Sequence, residues 1–314
     1  MTGRIITCDH TVYDLPALLT WEVAYTGAVP CDSFSVTCLH TPDLEPVLRR
    51  AAGFLLLDGS EVLLRAIVDE YEIRLSDQGM TALVAGRGYA ARLLDNESRP
   101  AVYQDVTLAE IIRSHVTPYG ISCAKTVEIR AGGTYTVESG SSQWKALESF
   151  CRTYGGFTPW FERDGRLTAV PETDDGKRLA VNEDTPLLAL TKRENHYGVL
   201  SEVLVIDKTR GQEYTVKNAD FLSRGGQCRR VLYTPGQSTW SAMRYTGEYQ
   251  IAQSTADEVS VEVTLPGGFL AFPGDIVQLS LDKAGLFGEY RVAEAENRMD
   301  ASGEQTTLTL KERT

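Results

Sequence analysis

Apolar residues recur at every second position over much of this chain, and the clearest run lies near its C-terminus. Val259, Val261, Val263 and Leu265 alternate with polar neighbours, the period of a half-buried strand. Pro266-Gly267-Gly268 stops that strand, and Pro273-Gly274-Asp275 makes a second turn. Strands are predicted at 276–281, at 289–295 after Gly285-Leu286-Phe287-Gly288, and at 306–310 after a turn over 300–303. Together these segments form a β-meander.

The same period places strands at 18–25, 33–39, 53–57, 61–75 and 80–85. Asp58-Gly59 between two apolar runs is a hairpin signal, and Gln78-Gly79 marks another turn. Many short antiparallel strands joined by turns predict a small barrel or sandwich over 1–95. The period then changes. Thr107-Leu108-Ala109-Glu110 is a capping box, and Leu108, Ile111, Ile112 and Val116 follow at helical spacing until Pro118 and Gly120. A strand is expected over 121–129. A second helix starts near Ser141 or Ser142, with Trp144, Leu147, Cys151 and Tyr154 as its apolar stripe and Gly155-Gly156 as its stop. A hairpin over 157–170 turns at Asp164-Gly165. Residues 96–172 thus make a small α+β module with two helices.

From 173 to 314 the pattern returns to β. Strands are expected at 187–192 and 201–207, with 213–219 pairing to the latter through Arg210-Gly211. One helix over 239–254 interrupts them, with Gly247 as its weak point. The predicted fold class is mainly β with an α+β part. Its domains are 1–95, a first β-barrel domain; 96–172, the module; and 173–314, a second β-barrel domain with one inserted helix.

The 314 residues carry a formal charge of −12, with 42% hydrophobic and 24% charged residues, an ordinary composition for a globular protein. The acidic balance argues against a nucleic-acid binder and against docking on anionic membranes. It suits a surface past which DNA slides without sticking, and it suits plain solubility. No apolar run approaches the ~18 residues of a membrane span, and the first residues lack a signal peptide's apolar stretch. The expected place of assembly is the cytoplasm. The six cysteines form no Cys-x-x-Cys pair and are read as free thiols.

The stretch "FPGDIVQLS…GLFGEYRVAEAENRMDASGEQTTLTL" resembles the C-terminal barrel of baseplate hub proteins of contractile phage tails. That family comprises the Mu-like tail hub and late control protein D group, with prophage and phage-like bacteriocin hubs. The resemblance is carried by Pro-Gly-Asp before a strand, Gly-x-x-Gly before Tyr-Arg-Val, and the closing Thr-Thr-Leu-Thr-Leu. Further matches are Gly86-Arg87 followed by Leu93-Leu94 and Asp95, the "TLAEII…YGI" and "WKALESFCR…DGRL" runs of the module, and a helix before the last meander.

The resemblance implies two related antiparallel β-barrels flanking the α+β module. It implies a homotrimer whose six barrels mimic the six-fold tail tube and join it to a trimeric spike. The implied partners are the tube protein, the spike protein and other baseplate or tape-measure components of a virion tail or contractile injection system, assembled in the host bacterial cytoplasm. Some hubs carry a fused lysozyme or peptidase domain, for which this chain has no room. The expectation is a structural virion-assembly protein with no catalytic residue, no cofactor, no metal, no specific nucleic-acid binding and no membrane insertion.

Gly86-Arg87-Gly88-Tyr89-Ala90-Ala91 fits G-x-G-x-x-A, but that fingerprint needs a parallel βαβ unit; between antiparallel strands it reads as a tight bend. His10, His40, His115 and His196 are far apart and lack the spacing of a metal helix. His115 is expected to be packed or half-exposed. Cys151 with His115 is arithmetically a nucleophile pair, yet Cys151 falls on a helix stripe as a core residue. There is no G-x-S-x-G elbow and no Walker loop. Phe157, Trp160 and Phe161 read as core or as a stacking platform for a sugar or base. Trp21 and Tyr25 share one strand face as core or a subunit contact. The alternative functions are a murein hydrolase and a glycan-binding tail component.

Overall fold

The structure, a computed structural model, describes residues 1–27, 31–77, 79–173, 176–234, 240–256 and 258–312. The chain begins with β1 (Thr2–Thr7), β2 (Val12–Asp14), β3 (Leu18–Thr26), β4 (Ser33–Leu39), α1 (Leu44–Leu48), β5 (Ala51–Asp58), β6 (Glu61–Ser76), β7 (Gly79–Gly88) and α2 (Ala91–Leu94). It continues through β8 (Ala101–Gln104), α3 (Leu108–His115), β9 (Cys123–Thr126), β10 (Thr134–Val137), α4 (Gln143–Phe150), β11 (Trp160–Phe161) and β12 (Leu167–Ala169). The last part holds β13 (Arg178–Asn182), β14 (Ala189–Glu194), β15 (Glu202–Asp207), β16 (Glu213–Lys217), α5 (Ala219–Ser223), β17 (Arg229–Thr234), α6 (Trp240–Thr255), β18 (Val259–Pro266), β19 (Ile276–Leu281), β20 (Leu286–Asp300) and β21 (Gly303–Glu312). The fold is mainly antiparallel β with α+β elements, as the period-2 pattern predicts. Two predicted positions, Gln78 of the expected turn and Thr239 of the expected helix, lie outside the described residues.

The chain packs into two compact units. The first holds Met1–Leu179, Leu265–Ile276 and Ala293–Leu308; the second holds Ala180–Thr264, Val277–Val292 and the chain from Thr309 on. Residues 1–95 and 96–172, expected as separate domains, therefore share the first unit with two stretches of the C-terminal meander.

In the first unit the strands follow the order β20-β3-β4-β7-β6-β5-β1-β2, and every neighbouring pair is antiparallel. The sheet is rolled. Phe34 on β4 stacks on Phe54 on β5 with ring centroids 4.1 Å apart, although β7 and β6 lie between those strands. In a flat sheet three strand spacings would hold them roughly 14 Å apart. The Tyr25 hydroxyl on β3 likewise donates to the Leu63 carbonyl on β6 at 2.8 Å. The inward set Trp21, Val23, Tyr25, Phe34, Val36, Phe54, Leu56 and Val84 is buried.

The Gly86–Ala91 run is not the bend expected from sequence. Gly86 and Gly88 lie inside β7, and α2 begins just beyond. The β6–β7 register slips between Val68 and Glu70, a bulge that leaves Asp69 unpaired in the ladder and bends the strand. A Cβ on Gly86 would stand 2.0 Å from the Ile67 carbonyl oxygen. Glycine is required there by backbone approach, not by a phosphate.

The α+β part of this unit is set by local signals. Thr107 Oγ1 accepts from the Glu110 N–H, and the Glu110 carboxylate accepts from the Thr107 N–H, completing the predicted capping box. Ser142 caps α4 by accepting from the Lys145 N–H. α4 runs on through one π-helical turn, Cys151–Gly155, and stops at Gly156 in the left-handed region, φ +72°. The two helices bury Leu108, Ile111, Leu147 and Phe150 together. The hairpin at Asp164-Gly165 forms as predicted from β11 and β12, with β9 alongside in parallel. The strand expected over 121–129 is shorter, only Cys123–Thr126.

In the second unit β15 is central, antiparallel to β16 and parallel to β17. The β15–β16 turn passes through Gly211 at φ +64°, as its sequence predicts. α6 lies over this sheet around buried Leu200, Val203, Val205 and Met243. At Gly247, expected as the weak point of α6, the helix packs tightly against the sheet. A Cβ there would sit 2.5 Å from Val216 Cγ2. β14 pairs antiparallel with β18.

Candidate functional site

Within the first unit the meander loop after β18 closes over the rolled sheet. The Gly267 N–H donates to the Glu304 carbonyl at 2.9 Å. Asn297 Oδ1 accepts from the Phe269 N–H at 2.7 Å. The Thr306 hydroxyl lies 2.8 Å from the Gly267 carbonyl and 2.9 Å from Asn297 Oδ1, sharing one proton between them. Asn297 is wholly buried, and its Nδ2 has no hydrogen-bond partner among the described residues. These bonds hold Phe269 at φ +55°, a conformation uncommon for a bulky residue. Its ring packs on Trp21 at 4.9 Å. Phe272 meets Tyr25 edge-on at 5.3 Å, and the Arg163 guanidinium lies 4.1 Å over the Phe272 ring. Trp21 and Tyr25 are thus core, as one of their two readings holds. Burial raises the Tyr25 phenol well above its ordinary pKa.

Beside this aromatic plug is a cavity of about 380 Å³, lined by Asp58, Glu61, Glu304, Lys177, Phe269 and Phe272 among others. Among the described residues no three His, Cys, Asp or Glu side chains stand close enough to hold a metal ion.

The other candidates fall into packing roles. His115 is buried, with Nδ1 2.7 Å from Gln143 Oε1 and Nε2 3.0 Å from the Tyr103 hydroxyl. An amide oxygen only accepts, so Nδ1 carries a proton and donates to Gln143, while Nε2 is bonded to the Tyr103 hydroxyl. Both ring nitrogens are then used. Cys151 is buried on the α4 stripe, and burial pushes its thiol up to about 12, the opposite of an activated nucleophile. Phe157 is buried, Trp160 and Phe161 are half-buried, and Phe161 packs against Trp144. Arg87, second in the glycine-rich run, forks to both oxygens of Asp69 and of Asp95. It ties the β6 bulge to the end of α2, and these bonds raise its own pKa further. All six cysteines are free.

Two surface features were not legible in the sequence. The outer half of β6 carries Leu75, 79% exposed, and β14 stands last in its strand order. Alternation marks a strand, but it does not say whether a neighbour pairs on either side. No helix is long and apolar enough to cross a membrane among the described residues.

The sequence matches no protein-family model and no curated protein. Solved structures do match. The tail protein from Neisseria meningitidis MC58 is 17% identical, with a TM-score of 0.77 over 99% of this chain and 96% of that one. The 43 kDa tail protein of prophage MuSo2 from Shewanella oneidensis is 15% identical, with a TM-score of 0.80 over 99% and 98%. A component of the E. coli type VI secretion system, itself structurally similar to the bacteriophage T4 tail proteins gp27 and gp5, gives 0.57 at 11% identity over 95% and 74%. The chain has the fold of these phage tail proteins along its whole length.

Proposed function

We propose that this chain is a structural subunit of a phage tail or tail-like particle, placed at the baseplate hub between a hexameric tube and a trimeric spike. The observation that carries the reading is end-to-end likeness: 99% of this chain aligns with nearly all of two tail proteins. Similarity to a secretion component related to gp27 and gp5 supports the hub position, as do the Pro273-Gly274-Asp275 and Gly285–Gly288 motifs of the meander. In this reading two related barrels per chain give a three-fold assembly a nearly six-fold face. In this reading Cys151 and His115 serve packing, and the aromatic group around Trp160 serves the module core.

Light scattering on a sizing column, over a concentration series, tests the reading. The expected species has a mass near three times 34.6 kDa. The purified chain incubated with peptidoglycan is expected to release no fragments. A strict monomer that does release them would replace the hub by the hydrolase reading.

A further inference from the structure

Two strand edges stand open on this chain. On the first unit, β5 accompanies β6 only as far as the Gly53–Ile67 pair. β7 accompanies the other side of β6 through to its end. From Glu70 to Leu75 the far side of β6 therefore has no strand beside it among the described residues. Glu70, Glu72 and Arg74 share one face there; Tyr71, Ile73 and Leu75 share the other. On the second unit, β14 pairs with β18 and with no other strand among the described residues. It carries exposed Lys192 and Arg193, with Leu190 half-buried and Leu188, just before it, 59% exposed. Lys192 pairs with Glu194 in its own strand. No ion pair engages Glu70 or Arg193 among the described residues.

Open edges are templates for another strand, and proteins leave them uncovered at a cost in aggregation unless a partner takes them. We infer that these two edges are the halves of one contact between copies of this chain. The outer half of β6 in one copy pairs antiparallel with residues 188–193 of the next. One register sets Glu70 opposite Arg193, Tyr71 opposite Lys192, Ile73 opposite Leu190 and Leu75 opposite Leu188. Acid meets base, an aromatic meets an ammonium, and both exposed leucines find apolar partners. A slip of one residue turns every side chain to the wrong face and sets Arg74 against Leu190. Glu72 is tied to Arg74 within β6 and Lys192 to Glu194 within β14, so the charge match that selects a second copy over an unrelated strand is the Glu70–Arg193 pair, set beside the facing apolar residues.

Because the two edges differ, the contact is head-to-tail. Such contacts close into a ring or run on as a filament. The edges supply the contact; the number of copies in the ring rests on the hub reading above.

The test is light scattering over a concentration series for the parent chain, Glu70→Arg, Arg193→Glu and the double swap, each checked by its melting curve. Both side chains are exposed on the surface, so folding is expected to be unchanged. Each single reversal places like charges opposite one another and is expected to weaken assembly by about tenfold or more. The double swap is expected to restore assembly to near the parent. Single variants that assemble like the parent, or a double swap no better than either single, overturn the edge contact and leave a trimeric hub standing. Swap behaviour with a mass other than three copies supports the edges and overturns the three-fold reading. A parent chain that is monomeric throughout overturns both.

Discussion

Asp32 shows how one side chain sets a pH dependence. It precedes β4, is partly buried, and accepts from the Thr26 N–H at 3.0 Å. Burial pushes its carboxyl up to about 6, against the pull of that hydrogen bond. A carboxyl whose folded pKa lies above its unfolded value of 3.8 binds its proton more tightly in the folded state. Between those values the folded protein gains stability as pH falls, and above about 6 it bears the full cost of a buried charge. Asp32→Asn keeps an acceptor for Thr26 and removes the charge. It is expected to stabilise the protein at pH 8, by on the order of 2 kcal/mol, and to be nearly neutral near pH 4. Urea unfolding at the two pH values measures this. A variant stabilised equally at both would show that the carboxylate does not carry the effect.

At the scale of elements, packing overrides propensity where two of them approach closely. Gly247 costs α6 about 1 kcal/mol in helix propensity relative to alanine, so Gly247→Ala would be expected to stabilise an isolated helix. Here the added methyl would stand 2.5 Å from Val216 Cγ2 and 3.5 Å from Val205 Cγ2. Gly247→Ala is expected to destabilise by about 1–3 kcal/mol. Combined with Val216→Ala, which opens the space, it is expected to cost less than the sum of the two single changes, as a double-mutant cycle in urea would show. The same contrast decides what was legible in the sequence. Both module helices were, because Thr107, Glu110 and Ser142 act within a few residues of themselves. β3 and β18 were, because Trp21, Val23, Tyr25, Val261, Val263 and Leu265 are all buried on one face. β1 was not, since Gly3 and Thr7 flank Ile5 on its inward face, nor was β17, whose Arg229, Arg230 and Val231 are exposed. α1 was hidden by Pro46 inside it. The loop that closes the first unit was visible only as turns, because Phe269 and Phe272 find Trp21 and Tyr25 at the opposite end of the chain.

At the scale of the whole molecule the governing quantity is charge. The chain carries 43 acidic and 31 basic residues, and many arginines are already committed: Arg87 to Asp69 and Asp95, Arg163 to Glu61, Arg224 to Glu258. In the proposed hub position the chain would stand at the head of a tube that passes DNA and would have to meet phosphate without holding it. Sequence-independent DNA affinity comes from basic groups that displace counterions, and that term is strongest at low salt. The most demanding test is therefore fluorescence anisotropy of a labelled duplex at roughly 50 mM salt, where even weak non-specific binders of ~10⁻⁵ M register. We expect no rise in anisotropy at any concentration that populates the assembled species. A saturable rise that weakens steeply with added salt would mean that the assembly gathers basic residues into a DNA-holding surface. The chain would then act as a clamp on nucleic acid rather than as a smooth-walled joint.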